Sequence, residues 1–224
     1  MPITNISSTT RPTTILLIRH GETAWNAERR LQGHIDIALN AEGERQAGAL
    51  AAVLAAERID AVVASDLQRA WQTAEAIAGH HGLPVPREPG LRERCFGGFE
   101  GLLYAEIEQR FPAEFAAWQA RRVDAAMPDG LREAETFRQF YHRAVGAIVA
   151  LGARHPGRTL ALVAHGGVLE CAYRAALGLS LETPRDFAVI NASINRFTLA
   201  DGKLSLASWG EVGHLRDDVL DELN

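Results

Sequence analysis

Short aliphatic runs alternate with helical patterns along this chain of 224 residues, and this alternation restricts its fold more than any other feature. The aliphatic runs are short and rich in β-branched residues, which predicts buried strands. They occupy 14–18, 59–64 and 159–164, and the helical patterns occupy about 40–58, 67–82 and 134–155. Strands that alternate with helices predict an α/β fold with a mostly parallel sheet.

Two more strands are predicted near the end of the chain, at 193–199 and 204–209. Asp201-Gly202 lies between them, and this dipeptide is a strong signal for a two-residue hairpin turn. We therefore expect an antiparallel strand near the C-terminus of the sheet.

The chain is predicted to form one domain over 13–224, preceded by a flexible tail at 1–12. Within that domain the pattern changes at 91–130, where clustered glycines precede an aromatic-rich helical stretch. This change predicts a helical insertion over the sheet rather than a further strand.

Composition limits the possible partners. The apolar fraction of 47% and charged fraction of 23% suit a soluble globular protein. A net charge of −5 argues against nucleic acid as a partner, so any attraction for phosphate must be local. No apolar stretch could span a bilayer, and the two cysteines lack metal-type spacing. We expect a cytoplasmic protein without a membrane partner, and a homodimer through an exposed sheet edge stays open.

Two predicted strands end in a histidine followed by glycine. Arg19-His20 follows the first strand, and His165-Gly166-Gly167 follows the strand at 159–164. Open α/β sheets bind ligands at the carboxyl ends of their strands, so both imidazoles are expected at one site. An imidazole can attack phosphorus, a guanidinium binds phosphoryl oxygens, and Gly-Gly at a helix start exposes N–H groups to an anion. The alternative for His165 is a cap on a glycine turn.

Arg69 lies in the first turn of a predicted helix, where a cation is mildly unfavourable. Ser65 and Gln68 match a capping box at the start of that helix. Arg69 could pair with Asp66, three residues earlier, or it could meet an anion together with the strand ends. The local sequence leaves both interpretations open.

Glu93 stands in a stretch of alternating charge, with Arg92 and Arg94 on either side. Such a stretch is most simply a solvated surface. A phosphoryl transfer also needs a proton for the leaving oxygen, and a carboxylate near arginines can supply it.

Five motifs in this order resemble those of the histidine phosphatase superfamily, the phosphoglycerate-mutase-like group. They are Arg19-His20-Gly21-Glu22-Thr23-Ala24-Trp25-Asn26, the Gln32-Gly33 stretch, Ser65-Asp66-Leu67-Gln68-Arg69-Ala70, Leu91 with Glu93 and Phe96-Gly97, and Val163-Ala164-His165-Gly166-Gly167. The resemblance implies a three-layer α/β/α sandwich and metal-free chemistry on a small phosphorylated metabolite.

The same resemblance assigns roles to the matching residues. His20 would be the nucleophile that becomes phosphohistidine, and Glu93 would protonate the leaving oxygen and then activate water or a second alcohol. The remaining predicted contacts to the phosphoryl group are Arg19, Asn26, Gln32, Gly33, Arg69, His165 and Gly166.

The shared motifs do not separate a phosphatase from a phosphoglycerate mutase that uses 2,3-bisphosphoglycerate. Glu93-Arg94 resembles the mutase branch, but Phe96 stands where that branch has tyrosine, and Tyr104 where it has lysine. Arg121-Arg122 comes two positions late after Trp118. The pair could still reach the pocket if the insertion helix is shifted, although this spacing is more typical of a solvated face. Gln32-Gly33 and the glycine spacing near Phe96 resemble the phosphatase branch.

We therefore predict a phosphomonoester hydrolase with no metal and no cofactor. A mutase is the alternative, and only a mutase would need 2,3-bisphosphoglycerate. A non-catalytic phosphoprotein-binding module is the remote alternative, which would require a broken catalytic set.

Overall fold

A five-stranded sheet organises residues 11–215, the part of the chain that the computed structural model describes. The strands are β1 (Thr13–Arg19), β2 (Ala61–Ala64), β3 (Thr159–Ala164), β4 (Ile194–Ala200) and β5 (Lys203–Glu211). Their order is β2-β3-β1-β4-β5. β2, β3 and β1 pair in parallel, and β4 pairs antiparallel with both β1 and β5. Within the described residues only β4 runs against the others, which confirms the predicted sheet. Most of the predicted tail at 1–12 lies outside the described residues.

The central strand β1 is buried on both faces. Ile15 and Leu17 belong to one apolar cluster, whereas Leu16 and Ile18 belong to the other. Successive side chains of a strand point to opposite faces, so a strand covered on both sides reads as a continuous aliphatic run.

Helices cover both faces of the sheet and complete the predicted three-layer sandwich. The longer helices α2 and α3 contribute Leu50, Leu54 and Ile77 to the cluster that contains Leu16, whereas α6 and α7 pack on the opposite face. No helix within 11–215 is long and apolar enough to cross a bilayer. The helices are α1 (Ala24–Ala27), α2 (Ala41–Leu54), α3 (Gln68–His81), α4 (Tyr104–Arg110), α5 (Pro112–Gln119), α6 (Phe137–Ala153) and α7 (Gly166–Leu177).

Two helices are shorter than the sequence pattern predicts. α2 begins after Asn40, whose Oδ1 accepts a hydrogen bond from Gly43 N at 2.8 Å, but it ends at Leu54 instead of about residue 58. Leu54 is the last side chain of that helix that reaches the core. α6 begins at Phe137 because Thr136 caps it, its Oγ1 accepting from Gln139 N.

The predicted hairpin turn joins β4 to β5. Asp201 has φ 50° and Gly202 has φ 75°, and positive φ at both central positions is typical of the type I′ turn. The Asp-Gly signal therefore identified this turn correctly.

The segment predicted as an insertion carries α4 and α5 and builds an apolar cluster of its own. The Trp118 ring lies 5.6 Å from the ring of Phe96 and 5.8 Å from that of Phe99. Leu31, Ile107 and Met127 complete the buried part of this cluster. The segment thereby supplies one wall of the cavity described below.

Candidate active site

His20 lies directly after β1 and is 1% exposed. Its Nδ1 is 2.6 Å from the carbonyl oxygen of Gly21, so this nitrogen carries the proton that the carbonyl accepts. Arg69 Nε donates a hydrogen bond to Nε2 at 3.3 Å, so Nε2 carries the lone pair. The main-chain oxygen of His20 accepts from Asn191 Nδ2 and Ala192 N. These contacts fix the ring with its unprotonated nitrogen beside a cation.

Arg69 is buried and is held by main-chain carbonyls. Its Nη2 donates to Gly33 O at 2.9 Å, and its Nη1 donates to Ile35 O at 3.1 Å. Asp66 pairs instead with Arg92, at 2.7 Å between Oδ1 and Nε. The predicted ion pair between Arg69 and Asp66 is therefore wrong. Arg69 instead contacts His20 at the end of β1, as expected if it contributes to an anion site.

His165 faces His20 across 5.1 Å between ring centroids. Its Nε2 lies 2.8 Å from Ser65 Oγ, and its buried Nδ1 has no hydrogen-bond partner within residues 11–215. His165 is the N-cap residue of α7, but its side chain makes no capping hydrogen bond, so capping does not explain the position of its imidazole. The capping box at Ser65 is also wrong, because α3 begins at Gln68 with Leu67 at its N-cap.

Burial and two arginine charges keep both imidazoles neutral. Burial lowers the pKa of His20 well below 6.5, and the charges of Arg69 and Arg19 lower it further. The pKa of His165 is lowered by burial first, then by Arg69 and more weakly by Arg19. Arg19 itself is buried and donates from Nη1 to Val189 O. The two histidines and two arginines therefore lie in one electropositive neighbourhood.

Glu93 is buried, so the interpretation of its segment as a solvated surface is wrong. Its Oε1 accepts from Arg94 N at 2.8 Å, and its Oε2 accepts from Gly167 N at 2.9 Å. The main-chain oxygen of Glu93 accepts from Arg143 Nη2 at 2.9 Å and lies 2.7 Å from His34 Nε2. Glu93, in the loop before α4, is thus bound to the start of α7.

The close contact between Glu93 and the start of α7 requires a glycine at position 167. A Cβ there would lie 2.2 Å from Oε1 of Glu93 and 2.9 Å from the Phe140 ring. Such a separation is too short for non-bonded atoms, so any larger residue must push the carboxylate away. Gly166 precedes it as the first residue of α7.

Three further predicted residues, Asn26, Gln32 and Gly33, lie around the turn that follows His20. Thr23 Oγ1 donates to Gln32 Oε1 at 3.0 Å, and Thr23 N donates to Asn26 Oδ1 at 3.1 Å. Gly33 follows with φ 54°, a conformation that favours glycine, and its carbonyl holds Arg69. Asn26 is therefore engaged in the capping box of α1 as well as lying near the site.

A cavity of about 320 Å³ opens beside His20. Its wall contains five of the predicted residues, whereas Arg19, Asn26, His165 and Gly166 do not line it. Arg121 and Arg122 line the cavity as well, so the pair does reach the pocket, although Arg122 is also exposed to solvent. The predicted residues in the wall are His20, Gln32, Gly33, Arg69 and Glu93.

The sequence analysis did not predict several polar side chains that lie at or near the site. Ser65 was assigned to a helix cap, Arg143 stood inside an ordinary helical pattern, and Glu170 and Arg185 belonged to no motif. Each of them makes a contact that spans many residues of the chain, such as the 100 residues between Ser65 and His165. Only Ser65, which stands beside Arg69 in a matched motif, could have been found from the sequence.

Comparison with known proteins identifies the family of this chain. A family model described as "Histidine phosphatase superfamily (branch 1)" matches residues 15–212. "Phosphoglycerate mutase-like protein 4" of Arabidopsis thaliana is 38% identical over 206 residues, which are 91% of this chain and 87% of the relative. "Metal-independent phosphoserine phosphatase" of the same plant is 38% identical over 205 residues, 91% of this chain and 83% of the relative.

A solved structure agrees with these matches. "Bacillus stearothermophilus YhfR" superposes with a TM-score of 0.82 at 34% identity and covers 90% of this chain and 98% of its own. The family match spans nearly all of the described residues and contains every motif discussed above. The chain therefore belongs to the histidine phosphatase superfamily and is an enzyme of that family.

Proposed function

We propose that this enzyme hydrolyses a phosphomonoester of a small metabolite, without a metal, through a phosphohistidine at His20. The observation that carries the proposal is the buried, neutral imidazole whose unprotonated Nε2 accepts from Arg69 at 3.3 Å. A neutral imidazole with its second nitrogen held as a donor is ready to act as a nucleophile.

In the first step, Nε2 of His20 attacks phosphorus and the bond from phosphorus to the alcohol oxygen breaks. Arg69 and Arg19 neutralise the charge that develops on the phosphoryl oxygens, and His165 Nδ1 donates to one of them. Glu93 in its protonated form gives its proton to the leaving oxygen.

In the second step, the Glu93 carboxylate takes a proton from water as the water oxygen attacks the phosphorus of phosphohistidine. The bond between nitrogen and phosphorus breaks, which releases inorganic phosphate and restores the His20 lone pair. Glu93 thus returns to its protonated form, and the cycle needs no group beyond the chain's own residues.

The experiment that tests the proposal compares wild type with His20→Ala. We expect His20→Ala to lose more than about 1,000-fold in turnover of p-nitrophenyl phosphate, because the change removes the nitrogen that attacks phosphorus. EDTA should leave the wild-type rate unchanged. Turnover retained by His20→Ala, or a strong loss with EDTA, would overturn the proposal.

A mutase is the second candidate because Arg121 and Arg122 line the cavity, as a mutase with a doubly charged substrate would require. Incubation with 3-phosphoglycerate, with and without 2,3-bisphosphoglycerate, separates the two activities. A phosphatase releases inorganic phosphate, whereas efficient formation of 2-phosphoglycerate without phosphate release would favour the mutase. We favour the phosphatase because Phe96 and Tyr104 replace the polar pair that the mutase branch has there.

A further inference from the structure

His34 lies between two residues whose main-chain carbonyls hold Arg69. The Nη2 of Arg69 donates to Gly33 O at 2.9 Å, and its Nη1 donates to Ile35 O at 3.1 Å. The Nε of the same guanidinium donates to His20 Nε2. Because residues 33–35 are consecutive, a shift of residue 34 moves both carbonyls and the guanidinium that they hold. The position of His34 therefore affects the arginine beside the proposed nucleophile.

The side chain of His34 reaches the loop that carries Glu93. Its Nε2 lies 2.7 Å from the main-chain oxygen of Glu93, which can only accept, so this nitrogen carries a proton. Burial lowers the pKa of His34 below 6.5, so the ring is neutral near pH 7 and its one N–H points to this oxygen. One half-buried imidazole thereby joins the loop that holds Arg69 to the loop that holds the proposed proton donor.

A second set of contacts joins the same two loops without the imidazole. Glu100 Oε1 accepts from His34 N at 2.8 Å and from Phe96 N at 3.0 Å. Gly33 packs directly against this carboxylate, because a Cβ there would lie 2.1 Å from Oε1 of Glu100. These contacts use the main chain of residue 34, so they persist when its side chain is changed. The contribution of the imidazole can therefore be measured in a folded protein.

The separation between Arg69 and Glu93 matters for the proposed reaction. Arg69 binds the phosphoryl group in that reaction, and the Glu93 carboxyl must come within hydrogen-bond distance of the leaving oxygen. Arg69 lies in the first turn of α3 and Glu93 lies in the loop before α4, so neither local structure fixes the distance between them. A misplacement of about 1 Å between reacting groups can lower a rate by about 100-fold.

We propose that His34 is a positioning residue that couples the phosphate-binding arginine to the proton donor. Its hydrogen bond to the main chain of Glu93 fixes the separation between the Arg69 guanidinium and the Glu93 carboxylate. His34 does not line the cavity that residues 11–215 form, so it acts through these two residues and transfers no proton itself. This inference rests on the proposed function, because it takes Glu93 to protonate the leaving oxygen.

The test compares wild type with His34→Leu, which removes the N–H donor and keeps a side chain of similar size. We expect kcat/KM for alkyl phosphates to fall about 10-fold, because their leaving oxygen needs the proton of Glu93. The value for p-nitrophenyl phosphate should fall less than about 3-fold, because its leaving group needs little protonation. The affinity for inorganic phosphate, measured by calorimetry, should fall about 5-fold as the carbonyls that hold Arg69 shift.

Two further variants separate positioning from stability. His34→Gln keeps an N–H donor near the position of Nε2 and should restore part of both losses. His80→Leu makes the same change as His34→Leu at an exposed position in the last turn of α3, and it should leave all three measurements unchanged. If His34→Leu lowers only thermal stability, or changes only the substrate ratio or only the phosphate affinity, His34 does not couple the two residues and the inference is overturned.

Wild-type turnover separates this inference from the function on which it rests. If wild type releases phosphate from neither substrate, the proposed hydrolysis fails, and the phosphate affinity of His34→Leu decides whether residue 34 positions Arg69. An unchanged affinity would then overturn the inference as well. If wild type hydrolyses both substrates and His34→Leu changes neither their ratio nor the phosphate affinity, the hydrolysis stands and the coupling fails.

Discussion

The N–H of Gly167 donates a hydrogen bond to Oε2 of Glu93 at 2.9 Å, which ties the proposed proton donor to the helix that follows His165. The contact is possible only because residue 167 has no Cβ. The position of Glu93 therefore depends on the start of α7 as well as on its own loop.

Replacement of Gly167 by alanine tests this dependence. The new Cβ would lie 2.2 Å from Oε1 of Glu93, so the carboxylate must move. We expect kcat/KM for alkyl phosphates to fall by about 100-fold, within the range for loss of a general acid, and that for p-nitrophenyl phosphate to fall much less. Phosphate release from the two substrate types is the measurement.

Gly146→Ala is the matched control for this change. Gly146 lies inside α6, where an added Cβ meets no atom within 4 Å. It should raise the free energy of unfolding by about 0.5–1 kcal/mol and leave both rates unchanged. Equal losses for the two substrates in Gly167→Ala would contradict a specific effect on Glu93.

Arg143 should act as a positioning residue for Glu93. Its guanidinium donates to the main-chain oxygens of Gly90, Arg92 and Glu93 and pairs with Glu135. Lysine has no planar fork and cannot make these bonds together. We expect Arg143→Lys to lower kcat for alkyl phosphates about 10-fold or more, with a smaller effect on p-nitrophenyl phosphate.

Arg138→Lys is the control on the same helix. Arg138 pairs with Asp124 on the surface, where both side chains are about half exposed or more. This change should leave kcat for both substrates within error. If Arg143→Lys lowers both rates to the same extent, Arg143 only stabilises the fold.

Ser65 should decide which nitrogen of His165 carries the proton. If Ser65 Oγ donates to Nε2 across 2.8 Å, the proton lies on the buried Nδ1, where it can bind a phosphoryl oxygen. Ser65→Ala removes this constraint and leaves Nε2 unpaired. We expect the inhibition constant of inorganic phosphate to rise roughly 10-fold, because an unpaired buried group costs about 1–3 kcal/mol.

Ser205→Ala, at an exposed position on β5, is the control and should leave the inhibition constant unchanged. An unchanged constant in Ser65→Ala would show that the Ser65 hydroxyl does not set the protonated nitrogen of His165.

Folding stability should fall as the pH is lowered below about 6.5. The pKa values of His20 and His165 are lowered in the folded state, so the unfolded chain binds more protons in this range. Stability therefore rises with pH there and falls on acidification, by up to about 1.4 kcal/mol per pH unit for each histidine. His34 and His214 have lowered pKa values as well and add to the same slope.

Urea unfolding at pH 7.5, 6.5 and 5.5 measures this slope. The double variant His20→Gln and His165→Gln should show a smaller loss of unfolding free energy between pH 6.5 and 5.5 than wild type. Equal slopes would mean that the two imidazoles are not held neutral in the folded protein.

Local patterns predicted the sheet well because each strand is a run of contiguous residues with a recognisable composition. The aliphatic run before His20 forms β1, and the Asp201-Gly202 dipeptide forms the turn before β5. Their periodicity and turn chemistry depend on neighbours a few residues away. The end of α2 was placed too late because the apolar spacing of the sequence continues to Ala55, whereas the helix ends at Leu54.

Interactions between distant residues were decided by tertiary structure. Ser65 matched the sequence pattern of a capping box, yet its hydroxyl forms a hydrogen bond with His165, 100 residues later. The local sequence did not separate the two interpretations of Arg69. In the folded protein the carbonyls of Gly33 and Ile35 hold its guanidinium beside His20.

By itself, the sequence determined the family, the three-layer fold and the motif residues that surround His20, because short motifs and strand periodicity are local properties. Only the tertiary structure decides which other side chains line the cavity. Arg121 lies after α5, Glu170 lies on α7 and Arg185 lies in the loop between α7 and β4, and no spacing along the chain relates them. Their charges act through space, so their common effect exists only in the folded protein.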